Sequence, residues 1–239
     1  MIHVVAGVVI DAAGRVLIAQ RPTGKHMAGG WEFPGGKLEP GEERLAGLAR
    51  ELREEIGITM GPARPLIRVR HTYPSREVLL DVWVVRRYDG EPRGLDGQEL
   101  RWCTEDELGT AELLPADKPI VAALRLPERL TQASSPYYSV GDLRSLTQPI
   151  VGAGGSHDSR LRGVWCANAV ESAAAADGGA DFLVMSEALA PAELATLCRL
   201  FSMPVYVRGL SLEEAWAHGA SGVIEAKERW RTGDFDPVS

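Results

Sequence analysis

The chain has little cysteine, no long apolar run and no surplus of positive charge, and each shortage removes a class of function. Its three cysteines, Cys103, Cys166 and Cys198, are widely spaced, odd in number and form no C-x-x-C pair. They read as small buried hydrophobes in a reducing compartment, not as a disulfide framework or a metal knuckle. The apolar opening from Met1 to Ile10 is too short to span a bilayer. It lacks the basic start of a signal peptide and runs into the polar Asp11-Ala12-Ala13-Gly14. A buried first strand, a cytoplasmic protein and no membrane partner are expected. Lys and Arg number 26 against 33 Asp and Glu, a formal net charge of −7. That balance gives no electrostatic hold on a nucleic-acid polymer. A small anionic substrate, held by a metal ion and a few local cations, remains open.

The 239 residues are long enough for one large domain or two ordinary ones. Strand-like runs at 2–10 and 15–20 flank the turn at 11–14 as a hairpin, and a polar loop follows from Pro22 to Gly30. Leu45, Leu48 and Leu52 return on one face of a helix predicted over 43–56, with Gly57 as its stop. Strands are expected at 64–71 and 77–88 around the turn Tyr73-Pro74-Ser75-Arg76, a short one at 99–103, and a helix at 117–126. These make a mixed sheet flanked by helices, a first domain over 1–127. Residues 128–160, rich in Ser, Gly, Pro and Gln from 131 onward, read as a linker. From 161 to 239, strand-like runs (162–167, 181–186, 203–208, 221–226) alternate with helical ones (168–177, 191–201, 211–218). That alternation predicts a parallel sheet of about four strands. The fold class is α/β.

Chemistry concentrates between Gly36 and Ile58. Glu51, Glu54 and Glu55 stand at i, i+3 and i+4, so their carboxylates share one helix face, beside the glycine-rich Trp31-Glu32-Phe33-Pro34-Gly35-Gly36. Like charges so spaced destabilise an isolated helix. A leucine stripe already defines the core face, so the acidic face needs another explanation than packing. Hard oxygen ligands this dense suit Mg²⁺ or Mn²⁺.

Gly36-x5-Glu42-x7-Arg50-Glu51-Leu52-x-Glu54-Glu55-x-Gly57-Ile58 matches the Nudix box at every specified position. The resemblance to the MutT branch, the 8-oxo-dGTP diphosphatases, extends over roughly residues 3–126. It includes Gln20-Arg21, His26-Met27-Ala28, Trp31 to Lys37, Tyr73-Pro74-Ser75-Arg76, Gly90-Glu91-Pro92 and Pro115-Ala116-Asp117-Lys118-Pro119. It implies a Nudix α/β/α sandwich and hydrolysis of a nucleoside triphosphate to the monophosphate and pyrophosphate. It also implies metal held by Glu51, Glu54, Glu55 and the Gly35 carbonyl, with Glu51 as general base. Arg50 either orients Glu51 or makes a purely structural ion pair. Arg21 and Lys37 are local cations for phosphate oxygens, though Lys37 also reads as ordinary surface charge. His26, Glu32, Phe33 and Pro34 would contact the nucleotide. Glu99 is a further candidate metal ligand from a facing loop, although Arg101 falls at the closest ungapped position. His71 reads as structural.

In the resembled enzymes an asparagine stands where this chain has Asp117. An asparagine accepts from the N7–H of 8-oxoguanine and donates to its O6, whereas an ionised aspartate can only accept. Either Asp117 is protonated when ligand binds, or the pocket prefers a base with an exocyclic amine. The expected substrate is 8-oxo-dGTP, with tolerance for other oxidised purines. Other Nudix substrates (ADP-ribose, a dinucleoside polyphosphate, a pterin triphosphate) and a non-catalytic nucleotide sensor are the competing readings. An intact Arg50-Glu51-Leu52-Arg53-Glu54-Glu55 argues against the sensor.

The second half resembles the last four strands of a thiamine-phosphate synthase barrel, through Trp165-Cys166-Ala167-Asn168, Ala180 to Val184, Met203 to Val207 and Ser221 to Ile224. A closed barrel of that kind needs eight strands. The glycine pair expected after the third of these strands reads Arg208-Gly209-Leu210. No catalysis is expected here. Four parallel strands with open edges need covering, by the first domain or by a second copy of the chain in a homodimer.

Overall fold

The computed structural model describes residues 1–22, 24, 27–131, 138–141, 161–185 and 189–225. The apolar opening forms β1 (Ile2–Val9), the second run β2 (Val16–Gln20), and the glycine-rich stretch gives β3 (Trp31–Glu32) and β4 (Gly35–Lys37). Helix α1 (Arg44–Ile56) starts at Glu43, whose carboxylate accepts the Leu45 and Ala46 N–H groups. It stops at Gly57, which takes the left-handed φ of 72° that glycine adopts without strain. Leu48, Leu52 and Ile56 are its fully buried side chains. There follow β5 (Thr59–Met60), the long hairpin β6 (Ala63–Tyr73) and β7 (Arg76–Val85), β8 (Tyr88–Asp89) and β9 (Leu100–Cys103). Helix α2 (Glu105–Thr110) begins at a capping box between Thr104 and Glu107, and α3 (Lys118–Leu124) has Pro119 in its first turn.

The main sheet runs β4-β1-β7-β6, with β1 parallel to β7 and antiparallel to β4. A second sheet, β3-β2-β9, completes the sandwich. Successive residues of β1 and β7 face opposite layers. Ala6, Val8, Leu80 and Val82 enter the core that also holds Ile120 of α3, while Val5, Val9, Trp83 and Val85 pack under α1.

The second half is one parallel sheet. It contains β10 (Arg129–Leu130), β11 (Tyr138–Gly141), β12 (Leu161–Cys166), β13 (Phe182–Met185), β14 (Val205–Val207) and β15 (Gly222–Ile224), ordered β10-β15-β14-β13-β12-β11. Helices α4 (Ala169–Asp177), α5 (Pro191–Leu200) and α6 (Leu212–Ala217) alternate with the last four strands. The sheet thus has six strands where four were expected. The extra two, β10 and β11, come from the segment read as a linker, and flank β15 and β12 where edges would otherwise lie open. A two-residue strand is too short to show periodicity. The rest of that segment, 132–137 and 142–160, lies outside the described residues.

The face of this sheet away from α4–α6 is filled by Tyr138, Phe182 and Tyr206, whose rings meet edge to face at 6.1 and 5.7 Å. Leu126 and Ala122 of the first half join that cluster, and the Tyr206 hydroxyl donates to the Pro127 carbonyl at 2.7 Å. The halves also meet along β6. The Ser221 hydroxyl donates to the Leu66 carbonyl at 2.6 Å and accepts the Val205 N–H at 3.2 Å, and Ser202 Oγ accepts the Arg70 N–H at 2.8 Å. Arg64 pairs with Glu128 and lies over the Trp216 ring. These bonds satisfy strand-edge groups that would be costly to bury unpaired. Replacing Ser221 with Ala strands a buried carbonyl and a buried N–H, so stability should fall by about 1–3 kcal/mol. Urea unfolding checks this, and an unchanged midpoint contradicts it.

Candidate active site

A cavity of about 550 Å³ opens between β1, β4, α1, the β6–β7 turn and the segment before α3. At one end stand Gly35, Gly36, Lys37, Glu51 and Glu55. Gly35 runs at φ +150° so close to β1 that a Cβ would overlap the Val5 carbonyl, and a Cβ on Gly36 would overlap the Glu51 carboxylate. The glycines therefore let α1 press its acidic face against a bare strand. Glu55 Oε2 accepts the Gly35 N–H at 3.2 Å.

Arg50 arranges this end. Its Nε and Nη2 grip Glu42 at 2.9 and 2.8 Å, its Nη1 reaches Glu51 at 2.9 Å and Glu54 at 3.2 Å, and Nη2 also donates to the Lys37 carbonyl at 3.2 Å. The two readings of Arg50 are therefore not exclusive. It ties loop to helix and also holds one oxygen of Glu51. Arg50 holds the Glu42 carboxyl down to about 2, chiefly through that hydrogen-bonded pair.

The three glutamates of the shared face separate. Glu51 and Glu55 border the cavity, whereas Glu54 is 61% exposed beside Arg50 and outside the cavity wall. Glu99 is exposed ahead of β9, with its carbonyl accepting the Gln20 N–H, and does not line this cavity. Gln98 instead reaches α1, donating to the Glu55 carbonyl at 2.8 Å. Among the described residues no three His, Cys, Asp or Glu side chains converge on one point. The oxygen-only set of Glu51, Glu55 and Gly35 on one wall suits a hard divalent cation in kind.

At the other end stand Glu32, Phe33, Tyr73, Arg76 and Asp117. Arg21 is here too, paired with Glu32. Its Nε is buried with no hydrogen-bond partner among the described residues. Pro34 is buried, and its carbonyl accepts the Gly7 N–H at 2.8 Å. His26, like Thr23 and Lys25, lies outside the described residues. Tyr73 and Arg76, read from the sequence as turn residues within the MutT resemblance and given no site role, line the cavity with the guanidinium 5.7 Å from the ring centroid. Only the fold brings the hairpin tip to the cavity.

A family model described as "NUDIX domain" matches residues 5–123. Over 124 residues the chain is 34% identical to the 8-oxo-dGTP diphosphatase of Escherichia coli K12, covering 52% of this chain and 96% of that protein. The chain belongs to the NUDIX family. It is 39% identical over 123 residues to the CTP pyrophosphohydrolase of Escherichia coli K12, covering 52% of this chain and 90% of that one. It is 46% identical over 90 residues to the 8-oxo-dGTP diphosphatase of Proteus vulgaris, covering 38% and 80%. As a NUDIX protein it is a hydrolase acting on acid anhydrides, in a family that generally uses divalent metal ions such as Mg²⁺.

In this NUDIX site the unusual group is Asp117. It begins α3 yet makes no side-chain cap bond, and it is only 5% exposed. Burial pushes its carboxyl up to about 8, helped by the Glu32 charge and opposed by the Phe33 N–H and Arg21. The folded protein therefore holds a proton on Asp117 at pH values where the unfolded chain has released it. Below the ordinary value of 3.8 both states are protonated and the group is neutral to stability. Between there and about 8 the folded state binds more protons, so stability falls as pH rises, by at most about 1.4 kcal/mol per pH unit. Urea midpoints at pH 5 and pH 8 should therefore converge in Asp117→Asn relative to the parent. An equal pH slope in both proteins refutes the buried acid.

Proposed function

We propose that the chain hydrolyses oxidised purine nucleoside triphosphates, 8-oxo-dGTP foremost, to the monophosphate and pyrophosphate, and so clears them from the nucleotide pool. The observation that carries the base assignment is the burial of Asp117 against Glu32. A neutral carboxyl has one O–H to donate and a carbonyl to accept. It can thus take the N7–H of 8-oxoguanine and donate to O6, as the asparagine of the resembled enzymes does. Ordinary guanine lacks the N7–H. A site built on that bond rejects it strongly, because a buried acceptor is left unpaired. The named activity of two relatives supports the same reading.

In this reading residues 1–127 carry the reaction. Water must be aligned with the scissile P–O bond, its proton accepted, and the phosphate charge neutralised. Glu51 accepts the proton at its carboxylate, oriented by Arg50. Glu51, Glu55 and the Gly35 carbonyl, with Glu54 one turn behind, would hold Mg²⁺ or Mn²⁺, which supplies the charge neutralisation. Lys37, exposed at the cavity rim, faces phosphate oxygens. Phe33 and Glu32 bound the base, and Arg21 fixes Glu32.

A second reading rests on the CTP pyrophosphohydrolase relative. An ionised Asp117 would accept from an exocyclic amine such as that of cytosine. Comparing kcat/KM for 8-oxo-dGTP, dGTP and CTP with Mg²⁺ decides between them. 8-oxo-dGTP should exceed dGTP by at least about 100-fold, and its value should fall as pH rises through about 8 while Asp117 loses the donor proton. Equal values for the two guanines sink the sanitising role, and a lead for CTP that grows with pH selects the second reading. Separately, Glu51→Gln should lower kcat by about 10²–10⁴ with nucleotide binding kept, measured by calorimetry. Retained hydrolysis removes Glu51 from the proton transfer.

A further inference from the structure

A second cavity, of about 750 Å³, lies between the two halves. Its wall includes the start of α1, strands β6 and β7, and helices α5 and α6. It is back to back with the substrate cavity. Val4, Val78 and Leu80 border the substrate side, while His3, Leu79, Asp81 and Trp83 of the same two paired strands border the cleft.

The polar groups of this cleft are unevenly spent. Asp81 accepts from Arg68 Nε at 2.6 Å, pairs with His3, and lies 3.6 Å from Arg44. Glu43 is turned to the Leu45 and Ala46 N–H groups at the start of α1. Glu213 is the remaining carboxylate on the wall. The donors are less used. Among the described residues Arg44 makes only the long contact to Asp81, and it lies 5.6 Å from the Trp83 ring centroid. Arg199 donates to Thr196 Oγ1 and pairs with no carboxylate among the described residues. Trp83 is 9% exposed, and its buried Nε1–H has no acceptor among the described residues. A buried indole N–H ordinarily finds one.

The geometry points to a binding site for a small oxyanion, free phosphate or a phosphate ester, held by Arg44, Arg199 and the Trp83 indole N–H. Such a ligand supplies an acceptor to Arg199 and the Trp83 N–H, which none of the wall's carboxylates engages among the described residues. It would sit at the positive end of α1, the helix that carries Glu51. Neither the base assignment nor the catalytic roles proposed above enter this inference.

The test is an NMR titration of the full chain without divalent metal, following the Trp83 indole N–H, which is identified by its loss in Trp83→Phe. Inorganic phosphate is one probe and adenosine monophosphate the other. A saturable downfield shift is expected, weakened at least about tenfold in Arg44→Ala and in Arg199→Ala, and unchanged in Lys37→Ala, whose cation borders the other cavity. Tighter binding of the monophosphate marks an ester as the preferred form, and tighter binding of phosphate marks the free ion. The proposal is overturned by the absence of a saturable shift with both probes, by undiminished affinity in both arginine variants, or by loss of the shift in Lys37→Ala, which would place the anion in the catalytic cavity.

Discussion

All five N–H donors of the Arg50 guanidinium are engaged, two with Glu42 and one each with Glu51, Glu54 and the Lys37 carbonyl. Without that grip the acidic face of α1 would be a set of like charges on adjacent turns. With it, the repulsion is divided. Glu51 and Glu54 share a cation, and Glu55 turns to the Gly35 N–H. The same guanidinium draws in the loop between β4 and α1 through Glu42, which is why a residue far from the cavity belongs to the motif. A lysine has the charge but not the planar fork needed to hold three carboxylates at fixed angles. Everything at the glycine end of the cavity depends on this one geometry.

The other end obeys a different constraint. The start of α3 is held by backbone bonds, so the Asp117 side chain is released from capping and pointed into a site that water hardly reaches. There desolvation outweighs the opposing pull of Arg21, because Glu32 lies close by and already engages that arginine. The two ends of the cavity are therefore shaped by separate parts of the first half. One end carries the motif on α1, and the other carries a carboxyl whose proton is set by burial.

Much of this was legible in the sequence, and the gaps have physical causes. Helix α1 was readable because a leucine stripe and a glycine stop agree over 13 residues. Helix α2 went unread although Thr104 and Glu107 form a capping box, because its six residues are too few to show a period. The spacing of Glu51, Glu54 and Glu55 placed them on one face but not relative to Gly35 and Gly36, since the angle of α1 to β4 is a tertiary property. For the same reason the pairing of Arg21 with Glu32, eleven residues on, has no local signal. Tyr73 and Arg76 looked like turn residues because nothing local tells which cavity a hairpin tip will meet.

The second half shows how far a fold can depart from its likeness. A complete barrel packs its interior with side chains from all eight strands. Here Leu126, Ala122 and Leu130, at and just after the end of the first half, complete the layer formed by Tyr138, Phe182 and Tyr206. The two units therefore share a core, and neither has its full complement of buried contacts alone. That explains why serines of the second half bond to the edge of β6, and why the cleft behind β1 and β7 exists at all. A sheet joined this way shares its buried face with the end of the hydrolase half.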